Sequence, residues 1–405
     1  MGVKLPGAKT PTAEQAGEAE TPQEVTAEQE KVPAKAATPT PTAPAKKGGS
    51  ESSAIMKALV KSKGEGVFIQ GNKIPVVERI ATGLFEFDYY TGGGFPKGRL
   101  SIVYGPESSG KTNISLLAAA TAQKFPEECN KVVFVDLEGT FDPTWAEQFG
   151  VDTENLIVVK PGYGEEAVDV IDGLVRADDV ALLIVDSIAV VTSAKEAEQS
   201  AEKFDVGTAA VLVKRLSNKL AIAFSLESRR GHFPAVIFLN QTRFKIGVMF
   251  GDPETMPGGQ TMKFLSSLTV RLYGKNKIAK DIHPDKPAFK DTNAVIKKAK
   301  VAINGSTFQY DMAMMPTGTL NVGESDSWAT VAGHLRELDL IRKAAKGGGW
   351  EVELSDGSVL SYNTLTQIQD HYYSEKKFQH ELQNIVVKRK SGQGFLLEAE
   401  GFAAK

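Results

Sequence analysis

Between residues 81 and 320 short, continuous apolar runs alternate with longer segments whose apolar positions recur every three or four residues. Runs such as ALLIVD and AVIFLN lack the polar alternation of a half-exposed strand, as expected for strands covered on both faces. This pattern predicts strands at Leu100–Tyr104, Lys131–Asp136, Leu156–Val159, Ala181–Asp186, Val236–Asn240 and Leu268–Leu272. Helical spacing between them fits 112–124, 165–177 and 208–228. Strand and helix in alternation predict an α/β fold, a mostly parallel sheet flanked by helices. Ligand sites are then expected at the carboxyl ends of the strands.

The flanks read differently. Residues 1–50 hold seven prolines, six lysines, six glutamates and no aromatic residue, too little apolar surface to offset chain entropy, so a disordered tail is expected. Across 51–80, Ala54, Ile55, Leu59 and Val60 fall at helical spacing and Val67–Ile69 reads as a short strand. Such a helix-and-strand arm would expose an apolar face suited to a neighbouring subunit. After residue 320, Trp328, Val331, Leu335, Leu338 and Ile341 form one amphipathic stripe. A strand pair at Trp350–Glu353 and Val359–Tyr362 follows, then a helix over 364–386. The expected organisation is a tail (1–50), an oligomerisation arm (51–80), a core (81–320) and a small α+β domain (321–405).

Composition narrows the classes. With 405 residues, 41% of them apolar, the chain can bury one large core and a smaller one. Its net charge of −3 advertises no polyanionic partner, so any nucleic-acid contact must come from local basic patches. Cys129 is the single cysteine, which excludes an internal disulfide and suits a reducing, cytoplasmic setting. No apolar run approaches the roughly 20 residues of a membrane span, and no membrane partner is expected. The five histidines are scattered, without metal-ligand spacing.

The strongest chemical signal is Gly105-Pro106-Glu107-Ser108-Ser109-Gly110-Lys111-Thr112, which follows an apolar strand and opens a helix. Glycines at this spacing let successive backbone N–H groups curl around a phosphate at a helix N-terminus. Lys111 would reach the β- and γ-phosphates of ATP, and the Thr112 hydroxyl would ligate Mg²⁺. Asp186 ends the buried strand ALLIVD, where it would help hold Mg²⁺. Glu138 lies just beyond the strand KVVFVD and would align the attacking water, with Asp136 competing for the role. In Asp142-Pro-Thr-Trp145, adenine would stack on Trp145 and its amine donate to Asp142, unless the tryptophan simply belongs to the core.

A second unusual segment runs from Asn240 to Gly259, too long for an ordinary connection and rich in large apolar residues. Arg243 and Lys245 would meet DNA phosphates. Ile246, Val248, Met249 and Phe250 would wedge between bases, Gly258 and Gly259 allow close backbone approach, and Phe244 and Gly247 belong to the same candidate DNA-binding segment, unless the segment is a disordered lid. The stretch 194–205, leading into a helix with Lys214, Arg215 and Lys219, is a weaker candidate for a further DNA contact. Residues 275–300 carry eight lysines against three aspartates, closing with Lys298 and Lys300. They are either a solvated edge or a pair reaching ATP on a neighbouring subunit.

Taken together, GPESSGKT, FVDLEGTFDP, LLIVDS and above all FLNQTRFKIGVMFGDPETMPGG resemble the RecA recombinase family of bacteria and their viruses, from about Ile55 to about Glu353. The resemblance implies a phosphate-loop ATPase core, filaments on single-stranded DNA, and pairing with homologous double-stranded DNA. It also implies that Glu138 activates water and that Gln241 senses the γ-phosphate for the adjoining DNA loop. Lys298 and Lys300 would reach ATP across the subunit interface. Val211 and Asn218 stand where the family carries arginines, the loop QSAEKFD is unlike its counterpart, and the chain ends EAEGFAAK without the acidic tail of many members. A ring-forming DNA motor and a paralogue without turnover are the alternatives.

Overall fold

The computed structural model describes residues 51–63, 71–74, 76–188, 208–230, 234–244, 254–256, 259–300, 302, 304–345 and 347–391. The expected tail, the strand Val67–Ile69, the stretch 194–205 and the loop residues Lys245–Phe250 and Gly258 lie outside these. Two compact units divide at Lys61/Ser62. The first holds all but the last two residues of α1 (Glu51–Lys63), on which Ile55, Met56 and Leu59 are exposed.

The second unit opens with β1 (Arg79–Ile80), α2 (Phe85–Thr91), β2 (Phe95–Pro96), β3 (Leu100–Gly105) and α3 (Lys111–Ala122). It continues through β4 (Lys131–Asp136), α4 (Pro143–Gln148), β5 (Leu156–Val159), α5 (Gly164–Leu174), β6 (Val180–Asp186) and α6 (Thr208–Arg230). Then come β7 (Ala235–Gln241), β8 (Arg243–Phe244), β9 (Glu254–Thr255), α7 (Gly259–Leu265), β10 (Leu268–Ile278), β11 (Pro287–Ala299) and β12 (Thr307–Ala313). The last part holds α8 (Trp328–Glu337), β13 (Ile341–Lys343), β14 (Trp350–Glu353), β15 (Val359–Tyr362), α9 (Leu365–Ser374) and α10 (Lys376–Ser391).

Eight strands form one sheet in the order β12-β11-β10-β3-β7-β6-β4-β5. The six from β10 to β5 are parallel, and β11 and β12 add an antiparallel edge. Alternate residues face opposite ways. Val132 and Phe134 of β4 join the core under α3, while Val133 and Val135 join the core under α5 and α6. That two-sided burial explains the unbroken apolar runs. Phe134 is 1% exposed, and its truncation to alanine would cost about 3–5 kcal/mol.

The expected strands that fall among the described residues all form, with ends moved by a residue or so except in one case. The strand at Leu268 runs on to Ile278, because its charged half pairs with β11 in a long hairpin. Two expectations after residue 320 need correction. The stripe from Trp328 to Ile341 is not one helix: α8 stops at Glu337, Asp339 takes a left-handed φ of 58°, and Ile341 opens β13. The helix expected over 364–386 is two helices separated by extended Glu375. Ile368 and Tyr372 lie one helical turn apart, but Phe378 falls six residues further on, so a continuous helix would turn it away from their shared core.

Candidate functional site

The site grows from the carboxyl ends of β3, β4, β6 and β7. Register sets Gly105 beside Gln241 and Asp136 beside Asp186, so residues far apart in sequence meet at one edge. Gly105 must lack a side chain, since a Cβ there would lie 2.2 Å from the Leu272 carbonyl oxygen. Gly110 takes φ 94° as the loop enters α3, a left-handed conformation that favours glycine. The loop is thereby held close to the sheet with its backbone turned into the start of the helix.

Lys111 is buried, and its Nζ donates to the carbonyl oxygens of Pro106 (2.7 Å) and Gly105 (3.3 Å). Burial holds this ammonium below the usual lysine range, opposed by the nearby carboxylates of Asp186 and Glu138. The Thr112 hydroxyl donates to Asp186 Oδ2 at 3.2 Å. Burial pushes the Asp186 carboxyl up to about 6, and neighbouring Glu138 adds to the rise.

Glu138 is half-buried, and its Oε1 accepts from Gln241 Nε2 (3.2 Å) and from the Ser187 hydroxyl. Asp136 is committed elsewhere. Its two oxygens accept from the backbone N–H groups of Thr140 (3.1 Å) and Phe141 (3.2 Å), closing the turn after β4. Ser187 enters the sequence analysis only as the last residue of LLIVDS, and its place directly after a strand-end aspartate is the signal for its contact with Glu138.

Beside the loop a cleft of about 450 Å³ is lined by residues 108–113, by Trp145 of α4, and by residues of the β10–β11 hairpin and the segment after β12. Trp145 is half-buried, with Nε1 donating to Asn113 Oδ1 at 3.2 Å and its ring edge-on to Phe149. Asp142 caps α4, its Oδ1 accepting from the N–H groups of Thr144 (2.9 Å) and Trp145 (3.3 Å). That oxygen is therefore engaged by the helix terminus. Lys290 also faces this cleft, and neither it nor Asn113 was marked by any motif.

A magnesium ion fits the Thr112–Asp186 pair. The Asp186 and Glu138 carboxylates lie near Lys111 at one edge, and the Thr112 hydroxyl and Asp186 carboxylate are hard oxygen donors. No group of three acidic, imidazole or thiol side chains is placed to hold a metal among the described residues, so phosphate and water would complete the shell.

Gln241 ends β7, and the segment beyond it is pinched at its base, where Arg243 and Phe244 pair with Thr255 and Glu254. Arg243 is exposed, as are Lys214 and Arg215 on α6, whereas Lys219 pairs with Asp169 (2.9 Å) and Asp172 (3.0 Å) of α5. Gly259 opens α7. Lys298 and Lys300 sit away from the loop, in the hairpin beside the amino-terminal half of β3. Their Nζ atoms donate to carbonyls at the end of α7. Lys298 reaches Lys263 and, at 3.0 Å, Phe264, while Lys300 reaches Phe264 at 3.1 Å.

A phosphate loop between strand and helix, faced by carboxylates on neighbouring strand ends, defines a phosphate-loop nucleotide-binding protein of the α/β class. Residues 51–317 match the model of the RecA N-terminal domain. The proteins named Protein RecA from Brucella canis, Brucella abortus and Brucella melitensis are each 36% identical over 277 residues, covering 67% of this chain and 73% of theirs. The chain belongs to the RecA family. Membership carries a general role in DNA recombination and repair, with binding of ATP and DNA. Among the described residues no helix is long and apolar enough to cross a membrane.

Proposed function

We propose that this chain is an ATP-dependent recombinase that polymerises on single-stranded DNA and pairs it with homologous duplex. The observation that carries the reading is the hydrogen bond from Gln241 to Glu138. It joins the group suited to align water with the last residue of β7, from which the segment suited to touch DNA continues. ATP bound at the loop would be contacted by Lys111 and Thr112, and through the cleft by Trp145. In hydrolysis the water oxygen bonds to the γ-phosphorus, the bond to the β–γ bridging oxygen breaks, and the water proton passes by way of Glu138 to solvent. Thr112 and Asp186 would hold magnesium, which would supply charge neutralisation on the phosphate oxygens.

Arg243 to Phe250, with Gly258 and Gly259, would track the DNA strand, with Lys214 and Arg215 adding phosphate contacts. Because Gln241 touches both functions, nucleotide and DNA would bind with reciprocal coupling. The test is ATP turnover with and without single-stranded DNA, in wild type and Gln241→Ala. We expect wild type to be stimulated severalfold, and the variant to bind nucleotide while losing most of the stimulation. Equal stimulation of both would remove the coupling. Strand exchange between a circular single strand and linear duplex then distinguishes recombination from DNA-stimulated hydrolysis alone.

A further inference from the structure

Lys290 sits on β11, only 6% exposed, against the outer side of the phosphate loop. Its Nζ donates to the Ser108 carbonyl oxygen at 2.8 Å and to Asn276 Oδ1 at 2.9 Å. Both acceptors are neutral, and among the described residues no carboxylate forms an ion pair with it. Lys111, which lines the same cleft, repels it. Its stem also packs on the loop, since a Cβ on Gly110 would stand 3.2 Å from Lys290 Cδ. Three lysines, Lys111, Lys286 and Lys290, thus line one cleft, and Lys290 is buried there with no carboxylate partner among the described residues. Burial holds the Lys290 ammonium below the usual lysine range. Such an arrangement is costly until an anion completes it.

We propose that Lys290 is a second nucleotide-binding lysine, supplied by the β10–β11 hairpin, whose ammonium turns from the Ser108 carbonyl to a phosphate oxygen of bound ADP or ATP. This rests on the nucleotide reading of the cleft. Hairpin and loop then grip the nucleotide from two sides, and the grip depends on charge. A lysine that only braced the loop would need to be a donor and would not need to be a cation.

Full-length wild type, Lys290→Gln and Lys290→Arg, titrated calorimetrically with ADP and magnesium at two salt concentrations, separate these roles. Glutamine keeps a donor for Ser108 and loses the charge; arginine keeps the charge. We expect the glutamine variant to bind ADP about tenfold more weakly, with a shallower salt dependence, and the arginine variant to stay within about threefold. Lys290→Ser repeats the charge test should the glutamine variant fail to fold. A neutral variant that is folded and binds ADP within about twofold of wild type would overturn the proposal while leaving the nucleotide reading intact. Wild type that bound no ADP would overturn both.

Discussion

Trp145 illustrates what a single side chain demands of its neighbours. An indole N–H that is half-buried needs an acceptor, and Asn113 on the first turn of α3 supplies it. Asn113→Ala should therefore destabilise the protein by about 1–2 kcal/mol in urea unfolding. In a Trp145→Phe background, which has no N–H to satisfy, the same change should cost markedly less; equal penalties in both backgrounds would sink the pairing. The phosphate-loop residues were legible in the sequence because their chemistry is local: glycines and a lysine at fixed spacing after a strand. Asn113, Ser187 and Lys290 were not, because each owes its place to strand register or to a helix from elsewhere in the chain. Asp136 and Glu138 could be ranked from sequence only by position. The structure adds the reason, since both Asp136 oxygens are engaged by the turn it closes.

Among the elements, α2 shows how burial writes a pH dependence into the fold. Glu86 lies there 4% exposed, accepting from Ser325 at 3.2 Å, and burial pushes its carboxyl up to about 7 from an ordinary 4.5. The folded chain thus holds this proton more tightly than the unfolded chain. Its contribution to stability falls as pH rises from about 4.5 to about 7 and is level above that. Asp88, two residues on and likewise raised to about 7 by burial, contributes a slope of the same sign, and nearby Asp326 reinforces Glu86. Glu86→Gln should flatten, without abolishing, the dependence of the melting temperature on pH between about 5 and 7.5; an unchanged slope would place the proton elsewhere. Strands of this protein were legible because burial on both faces leaves uninterrupted apolar runs. Helix ends were less so, because apolar spacing continues past Glu337 into β13 while the backbone has already turned. In the same way, the misfit between Tyr372 and Phe378 was visible in the spacing and marks where α9 yields to α10.

At the scale of the molecule, parallel strands were predictable but their order was not, since nothing local dictates that β3 lies between β10 and β7. Register along β11, not strand order, separates Lys298 and Lys300 from the phosphate loop of their own chain, since Lys298 pairs with Thr269 beside Ile102 in the first half of β3. It also suits the proposal that they serve a neighbour's nucleotide in a head-to-tail filament. Replacing both with alanine should cut DNA-stimulated turnover by about a hundredfold or more, while dilute protein still binds ADP at its own loop. Full turnover in the double variant would exclude a role across the interface. The same topology has a consequence during synthesis. Glu138 and Gln241 are 103 residues apart, and Thr112 and Asp186 are 74. At about 5–20 residues per second, on the order of ten seconds pass between translation of the glutamate and of the glutamine. A nascent chain on the ribosome already carries its whole phosphate loop during that interval, yet lacks the strand that brings Gln241 to Glu138, so the proposed coupling of ATP cleavage to DNA would be withheld until the seventh strand has been made.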